Sequence, residues 1–136
     1  MTKMCDMPET MPAIRATAMP SDTNPEGDIF GGWLMSQMDL AAGSCATKIA
    51  RGRTVTVAMD GMIFHTPVYV GDEVSFYATL VETGRTSMKI AVEAWRRPRD
   101  GHQGCKVTEA VFTFVAIGSD RRPRPVYNPQ PTPPEA

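Results

Sequence analysis

The sequence predicts an α+β domain in which a five-stranded antiparallel sheet wraps around one long central helix. Three observations carry that expectation. One stretch, GDIFGGWLMSQMDLAAGSCATKIARG at residues 27 to 52, has helical periodicity over several turns. From Thr54 onward the apolar period changes from helical to two. Turn-forming residues then cut the remaining chain into strand-length pieces. A single helix stripe that must be buried, followed by strands joined through tight turns, is satisfied most economically by a sheet curled around that helix.

Ala13 to Met19 alternates weakly, with Ile14, Ala16 and Ala18 against Arg15 and Thr17, and reads as a short edge strand. The next stretch, PSDTNPEG, is dense in turn formers and reads as a loop. In the helix, Leu34, Met35, Met38, Ala41, Ala42, Cys45 and Ile49 recur at three- and four-residue spacing and define the apolar stripe. Lys48 and Arg51 fall in the last turn, where cations complement the dipole, and Gly52 suits the position after the helix end. The second strand sets Val55, Val57, Met59 and Ile63 against Thr56, Ala58, Met62 and Phe64. Both faces are apolar enough to be covered, and Asp60-Gly61 reads as a bulge within one strand. HTPVYVGD, residues 65 to 72, is a connection bounded by proline and glycine. Val74, Phe76, Ala78 and Leu80 mark the third strand, Thr83-Gly84 a hairpin, and Met88, Ile90, Val92 and Ala94 the fourth. After the polar loop RRPRDGHQG, the last strand runs from about Cys105 to Ile117.

At 136 residues the chain has room for one domain with a real core. Residues 1 to 12 read as a flexible arm, 13 to 120 as the domain, and 121 to 136 as a tail whose six prolines keep it out of a sheet interior. A net charge of −1 gives no basic field for nucleic acid or an anionic membrane. Neither a signal sequence nor a membrane-span-length apolar run is visible, so the expected setting is cytoplasmic. Cys5, Cys45 and Cys105 are widely separated and odd in number, which supports neither a disulfide framework nor a zinc site; no metal is expected.

Gly31 and Gly32 open the helix, where four backbone N–H groups lack intrahelical partners and the dipole adds positive charge. Without side chains in the way, those donors can form an oxyanion hole; they equally suit a tight turn or close helix packing. Asp39 is the lone carboxylate within the helix. It can deprotonate a water or attack a carbonyl, or simply face solvent. It lies seven residues past Gly32, or ~10 Å along the helix axis. One carbonyl cannot meet both within a single chain, so joint action requires two subunits. Asn24, in the preceding loop, can donate to a substrate oxygen or merely shape the turn. His65 and His102 are isolated in the sequence, with no carboxylate motif around either. The hairpin segment Gly84, Arg85, Thr86, Ser87, Met88 and Lys89 carries two cations and two hydroxyls, which suits phosphate or a solvated turn alike.

Four blocks, SDTNPEGDIFGGWLMSQMDLAAG, TVTVAMDGMIFHTPVYVGDEV, GRTSMKIAVEAW and VTEAVFTFVAI, closely resemble the hotdog-fold acyl-CoA thioesterases of the bacterial YciA type. Those proteins are related to animal acyl-CoA hydrolases that carry two such domains, and the resemblance spans about residues 13 to 127. It implies a sheet wrapped around the helix, homodimers with shared active sites, and assembly as a trimer of dimers. It further implies hydrolysis of acyl-CoA to a free acid and CoA, with no cofactor beyond the CoA carried by substrate and product. Carried over position by position, the catalytic carboxylate falls on Asp39, the loop amide on Asn24 and the oxyanion-hole amide on Gly32. The CoA-binding positions fall on Gly31, Gly84, Arg85, Ser87 and Lys89. Where animal relatives often have histidine before the glycine pair, this chain has Phe30. A hotdog hydratase or dehydratase is the alternative enzyme, and would need a loop histidine that residues 20 to 31 lack. A non-catalytic acyl-CoA-binding protein is the alternative from the binding class, and the presence of Asp39 speaks against it.

Overall fold

The computed structural model describes residues 7–101 and 103–127; Cys5, His102 and the chain from Asn128 lie outside them. Strand β1 (Ile14–Thr17) leads through a 3-10 turn (Pro20–Asp22) and a folded loop into helix α1 (Gly31–Ala50). Strands β2 (Thr54–Phe64), β3 (Glu73–Thr83), β4 (Ser87–Arg97) and β5 (Cys105–Ala116) follow. They form one sheet in the order β1-β3-β4-β5-β2. Every neighbouring pair is antiparallel. The connection at residues 65–72 therefore carries the chain from β2, at one edge beside β5, to β3 near the other. β1 is an edge strand, as its weak alternation indicates, and β2 is the other, which neither hairpin logic nor chain order would reveal.

The helix lies against the middle strands. Leu34, Met38, Ala41, Ala42, Ala46 and Ala50 are buried, facing Phe76, Met88, Ile90, Val92, Phe112 and Phe114, which are also buried. The four alanines let the backbone approach the sheet closely, while the large side chains come mostly from the strands. Each buried phenylalanine, isoleucine or methionine contributes about 2 kcal/mol from apolar area alone. The buried stripe is rotated slightly from the one expected: Ala46 and Ala50 belong to it, Cys45 and Ile49 pack at its margin, and Met35 stands 38% exposed. Helix termination also differs in detail. Arg51, not Gly52, adopts the left-handed conformation, with φ 54° and ψ 44°.

β2 does run as one strand through Asp60-Gly61. Its register against β5 shifts there and again between Thr56 and Ala58. Its faces are less covered than expected, because none of its eleven residues is buried. Val57 is 56% exposed and Ile63 61%. An edge strand of that length with apolar side chains on both faces is an unusual thing to leave open.

The last described segment folds back on the domain. Ile117 bridges to Pro123, and Val126 is buried. One long helix embraced by a five-stranded antiparallel sheet is the hotdog fold. Among the described residues, no helix is long and apolar enough to cross a membrane.

Candidate active site

Two recesses flank the helix; Asp39 lines one and Gly31 the other. The first is a groove of about 560 Å³ that runs along the helix beside the start of β2 and includes Asp39, Thr47, Lys48, Thr54 and Thr56. Asp39 is partly exposed in this groove. Its Oδ1 accepts a 2.6 Å hydrogen bond from the Thr56 hydroxyl. With one oxygen fixed by Thr56, the other is left to meet a water or a carbonyl carbon. Thr56 escapes a reading of the sequence, since threonine in a strand is ordinary and its bond to Asp39 spans seventeen positions.

The second recess, about 330 Å³, lies at the helix N-terminus between the loop, Gly31, Leu34, Phe64 and the segment from His65 to Val68. Phe30 precedes the first helical residue and no side chain caps this end. The Trp33 amide turns back to the Phe30 carbonyl at 3.0 Å. The amides of Gly31 and Gly32 have no such partner among the described residues. A side chain on either glycine would meet an aromatic ring: a Cβ on Gly31 would stand 3.1 Å from the Phe64 ring, and one on Gly32 3.0 Å from the Phe30 ring. The absent side chains thus leave room for the rings while two N–H groups stay open. These donors and their dipole suit a developing oxyanion.

Asn24 is built into the loop that leads to those amides. Its Oδ1 accepts from the backbone amides of Glu26 at 2.9 Å and Asp28 at 3.1 Å. Its own amide donates to the Asp28 carbonyl at 2.7 Å. Gly27, with φ +91°, closes the turn. The Phe30 amide then donates to the Asp22 carbonyl at 3.2 Å, tying the loop to the start of the helix. Both roles weighed for Asn24 are compatible: the oxygen shapes the turn, and no hydrogen bond among the described residues occupies its NH2 group.

The hairpin residues sit at the opposite end of the molecule from the glycine pair. Gly84 and Arg85 are exposed on the turn, Ser87 begins β4, and Lys89 lies two residues into that strand on an exposed position. The structure does not bring them near Gly31 or Gly32.

His65 is not isolated in space. Its Nε2 lies 3.2 Å from Glu109 Oε2. Glu109 in turn accepts from the Lys106 ammonium at 2.7 Å, and Lys106, only 7% exposed, also lies 3.7 Å from Glu93. The hydrogen bond from Lys106, followed by that from His65, outweighs desolvation and holds the Glu109 carboxyl below its ordinary range. Burial pushes the Cys45 thiol up, with Lys48 opposing. Cys45 and Cys105 both carry free thiols. Among the described residues no group of three or more His, Cys, Asp or Glu side chains is placed to hold a metal ion.

Comparisons with known proteins agree with this architecture. Residues 26–101 match the model of the thioesterase superfamily. An uncharacterized acyl-CoA thioester hydrolase of Zymomonas mobilis is 57% identical over 116 residues, covering 85% of this chain and 78% of the relative. The acyl-CoA thioester hydrolase YciA of Salmonella typhimurium is 48% identical over 129 residues, covering 93% and 97% of the two chains. The crystal structure of a hexameric thioesterase from Yersinia pestis superposes with a TM-score of 0.84 at 48% identity, over 90% of this chain and 99% of that one. With the fold, the recesses beside its helix and these relatives in agreement, the chain belongs to the thioesterase superfamily.

Proposed function

We propose that this protein hydrolyses acyl-CoA to a free carboxylic acid and CoA, in active sites that each draw residues from two subunits. The observation that carries the reading is the division of the chemistry within one chain. Asp39 with Thr56 lies in the groove, whereas Gly31 lines the cleft at the start of the same helix and Gly32 follows it, both with open amides. A helical rise of ~10 Å separates Gly32 from Asp39, so neither recess alone holds both a base and an oxyanion hole.

The uncovered β2 edge supplies a way to unite them. If β2 pairs antiparallel with its own copy about a two-fold axis near Met59, Thr54 and Thr56 come beside Phe64 and Met62 of the partner subunit. The groove of one chain then meets the cleft of the other. Such pairing also covers Val55, Val57, Ile63 and Phe64, all at least 40% exposed in the single chain. Relatives of this chain include a thioesterase described as hexameric, which supports assembly of three such dimers.

In this site the amide of Gly32 donates to the thioester carbonyl oxygen as negative charge develops there. The free oxygen of Asp39 takes a proton from water, whose oxygen attacks the carbonyl carbon. Collapse of the tetrahedral intermediate breaks the C–S bond, and the CoA sulfur takes up the proton. Attack by Asp39 itself would instead pass through a transient anhydride, which water then opens; the same two residues serve either route. The Asn24 NH2 group is available to hold the water or a substrate oxygen. Arg85, with Lys89 and Ser87 beside it, offers charge-assisted donors to the nucleotide phosphates.

Hydrolysis of an acyl-CoA panel from short to long chains, followed by free-thiol release, tests the function directly. Turnover of one or more members is expected, and no thiol release across the panel would contradict it. The His65–Glu109 pair beside the cleft offers the hydratase alternative an imidazole that the loop lacks. The same panel with enoyl-CoA, followed by loss of the conjugated thioester without thiol release, distinguishes it.

A further inference from the structure

We propose that residues 121–127 act as a strap that positions the Arg85 hairpin for the nucleotide end of the substrate, with Val126 and Arg124 as its positioning residues. The inference rests on the acyl-CoA reading above and adds to it a part of the chain with no counterpart in that chemistry.

The hairpin between β3 and β4 is held from several sides. Within the turn, the Gly84 amide donates to the Ser87 carbonyl at 2.8 Å. From β5, the Ala116 amide donates to the Thr86 carbonyl at 2.9 Å. From the strap, the Val126 amide donates to the Arg85 carbonyl, also at 2.9 Å. The backbone of Arg85 is thereby fixed, while its guanidinium is exposed and has no hydrogen bond among the described residues. A fixed stem with an unengaged cation is what recognition of a phosphate requires.

The strap is itself anchored. Val126 is 2% exposed and belongs to the main core. The Arg124 amide donates to the Ala116 carbonyl at 2.9 Å. Its guanidinium donates to the carbonyls of Ala50 at 2.8 Å, Ile117 at 3.2 Å and Pro125 at 3.0 Å. Ala50 ends the helix, so Arg124 satisfies a carbonyl that the helix cannot, at the end where the dipole favours a cation. The Arg124 side chain fills the place of a Cβ at Gly52, where one would stand 2.6 Å from its Nη2. That contact gives Gly52 a purpose other than helix termination, which Arg51 performs. The strap thus links the helix that carries Asp39 to the hairpin that carries Arg85. It sets the span between the reacting thioester and the phosphates at its far end.

Kinetics with two substrates that share a thioester separate this role from a merely structural one. An acyl-CoA engages the hairpin, and the matching acyl-pantetheine, lacking the nucleotide, does not. Val126→Pro removes the donor to Arg85, and Arg124→Ala frees the strap from the helix end. Each is expected to raise KM for the acyl-CoA about fivefold, as for loss of one positioning hydrogen bond. Saturated turnover, and both constants for the acyl-pantetheine, should stay unchanged. If Arg85→Ala raises KM for the acyl-CoA while both strap variants leave it alone, the strap proposal is overturned and the hairpin assignment stands. Equal deterioration with both substrates would likewise overturn it, in favour of general loosening. If Arg85→Ala itself leaves KM unchanged, the nucleotide assignment fails and the strap proposal fails with it.

Discussion

At the scale of single residues, the proposed chemistry turns on one carboxylate whose two oxygens have different environments. Thr56 occupies one oxygen of Asp39, so the second is presented to the groove in a fixed orientation. Asp39→Asn keeps the volume but removes the basic and nucleophilic oxygen. Turnover should fall by roughly 10²-fold or more, with the thermal midpoint little changed. Near wild-type turnover would remove Asp39 from the chemistry. Thr56→Val keeps the shape and loses only the hydroxyl, leaving the carboxylate free to rotate. A fall of about tenfold in kcat with little change in KM is expected; a pure KM effect would show that Thr56 touches substrate instead. Asp39 could be singled out in the sequence because it is the lone acid on a helix of small and apolar residues. Thr56 could not, because strand register and the β2 bulges decide which threonine reaches the helix.

At the scale of elements, period and turn chemistry disclosed the helix, the strands and the edge position of β1, but not that β2 lies at the other edge. A two-residue alternation reports that a strand has two faces; it does not report what covers them. β2 looks in sequence like a covered strand, yet none of its residues is buried in the single chain. Side-chain networks across strands were equally hidden. Glu93 and Glu109 are directly opposed between β4 and β5, and the nearly buried Lys106 ammonium lies within 4 Å of both. Lys106→Met leaves two facing carboxylates without their cation. Because Glu93 and Glu109 are 30% and 45% exposed, the cost should be about 2 kcal/mol, below that of a fully buried pair. In calorimetry this corresponds to a fall of roughly 7 °C in Tm for a chain of this size; an unchanged Tm would show that solvent screens the cluster.

The same network has a pH signature. Glu109 is held below its ordinary range first by Lys106 and then by His65. Its stabilising contribution is therefore complete above the unfolded-state carboxyl pKa and is lost as pH falls through the lower folded value. Glu109→Gln should flatten this acid limb of the Tm profile, and an unchanged limb would assign the acid sensitivity to other groups.

At the scale of the whole molecule, Gly31 and Asp39 open onto different recesses along the helix, and the open β2 edge offers the contact proposed to join them. A resemblance carried by ordered sequence blocks is what groups Asp39, Asn24 and Gly32 as the proposed set. Helical rise sets Gly32 and Asp39 ~10 Å apart within one chain. The most direct measurement of the shared site mixes two variants, each impaired alone. Asp39→Asn loses the base. Asn24→Asp retains the Oδ1 acceptor that orders the loop and loses the NH2 donor. The two chains are co-expressed under separable tags, and the heterodimer content is verified. A heterodimer would carry one site with both wild-type residues and one site with neither. Statistical mixing should then restore on the order of a quarter of wild-type thiol release. Demonstrated heterodimers that remain as inactive as their parents would place Asp39 and Asn24 in the same chain's site and contradict the account.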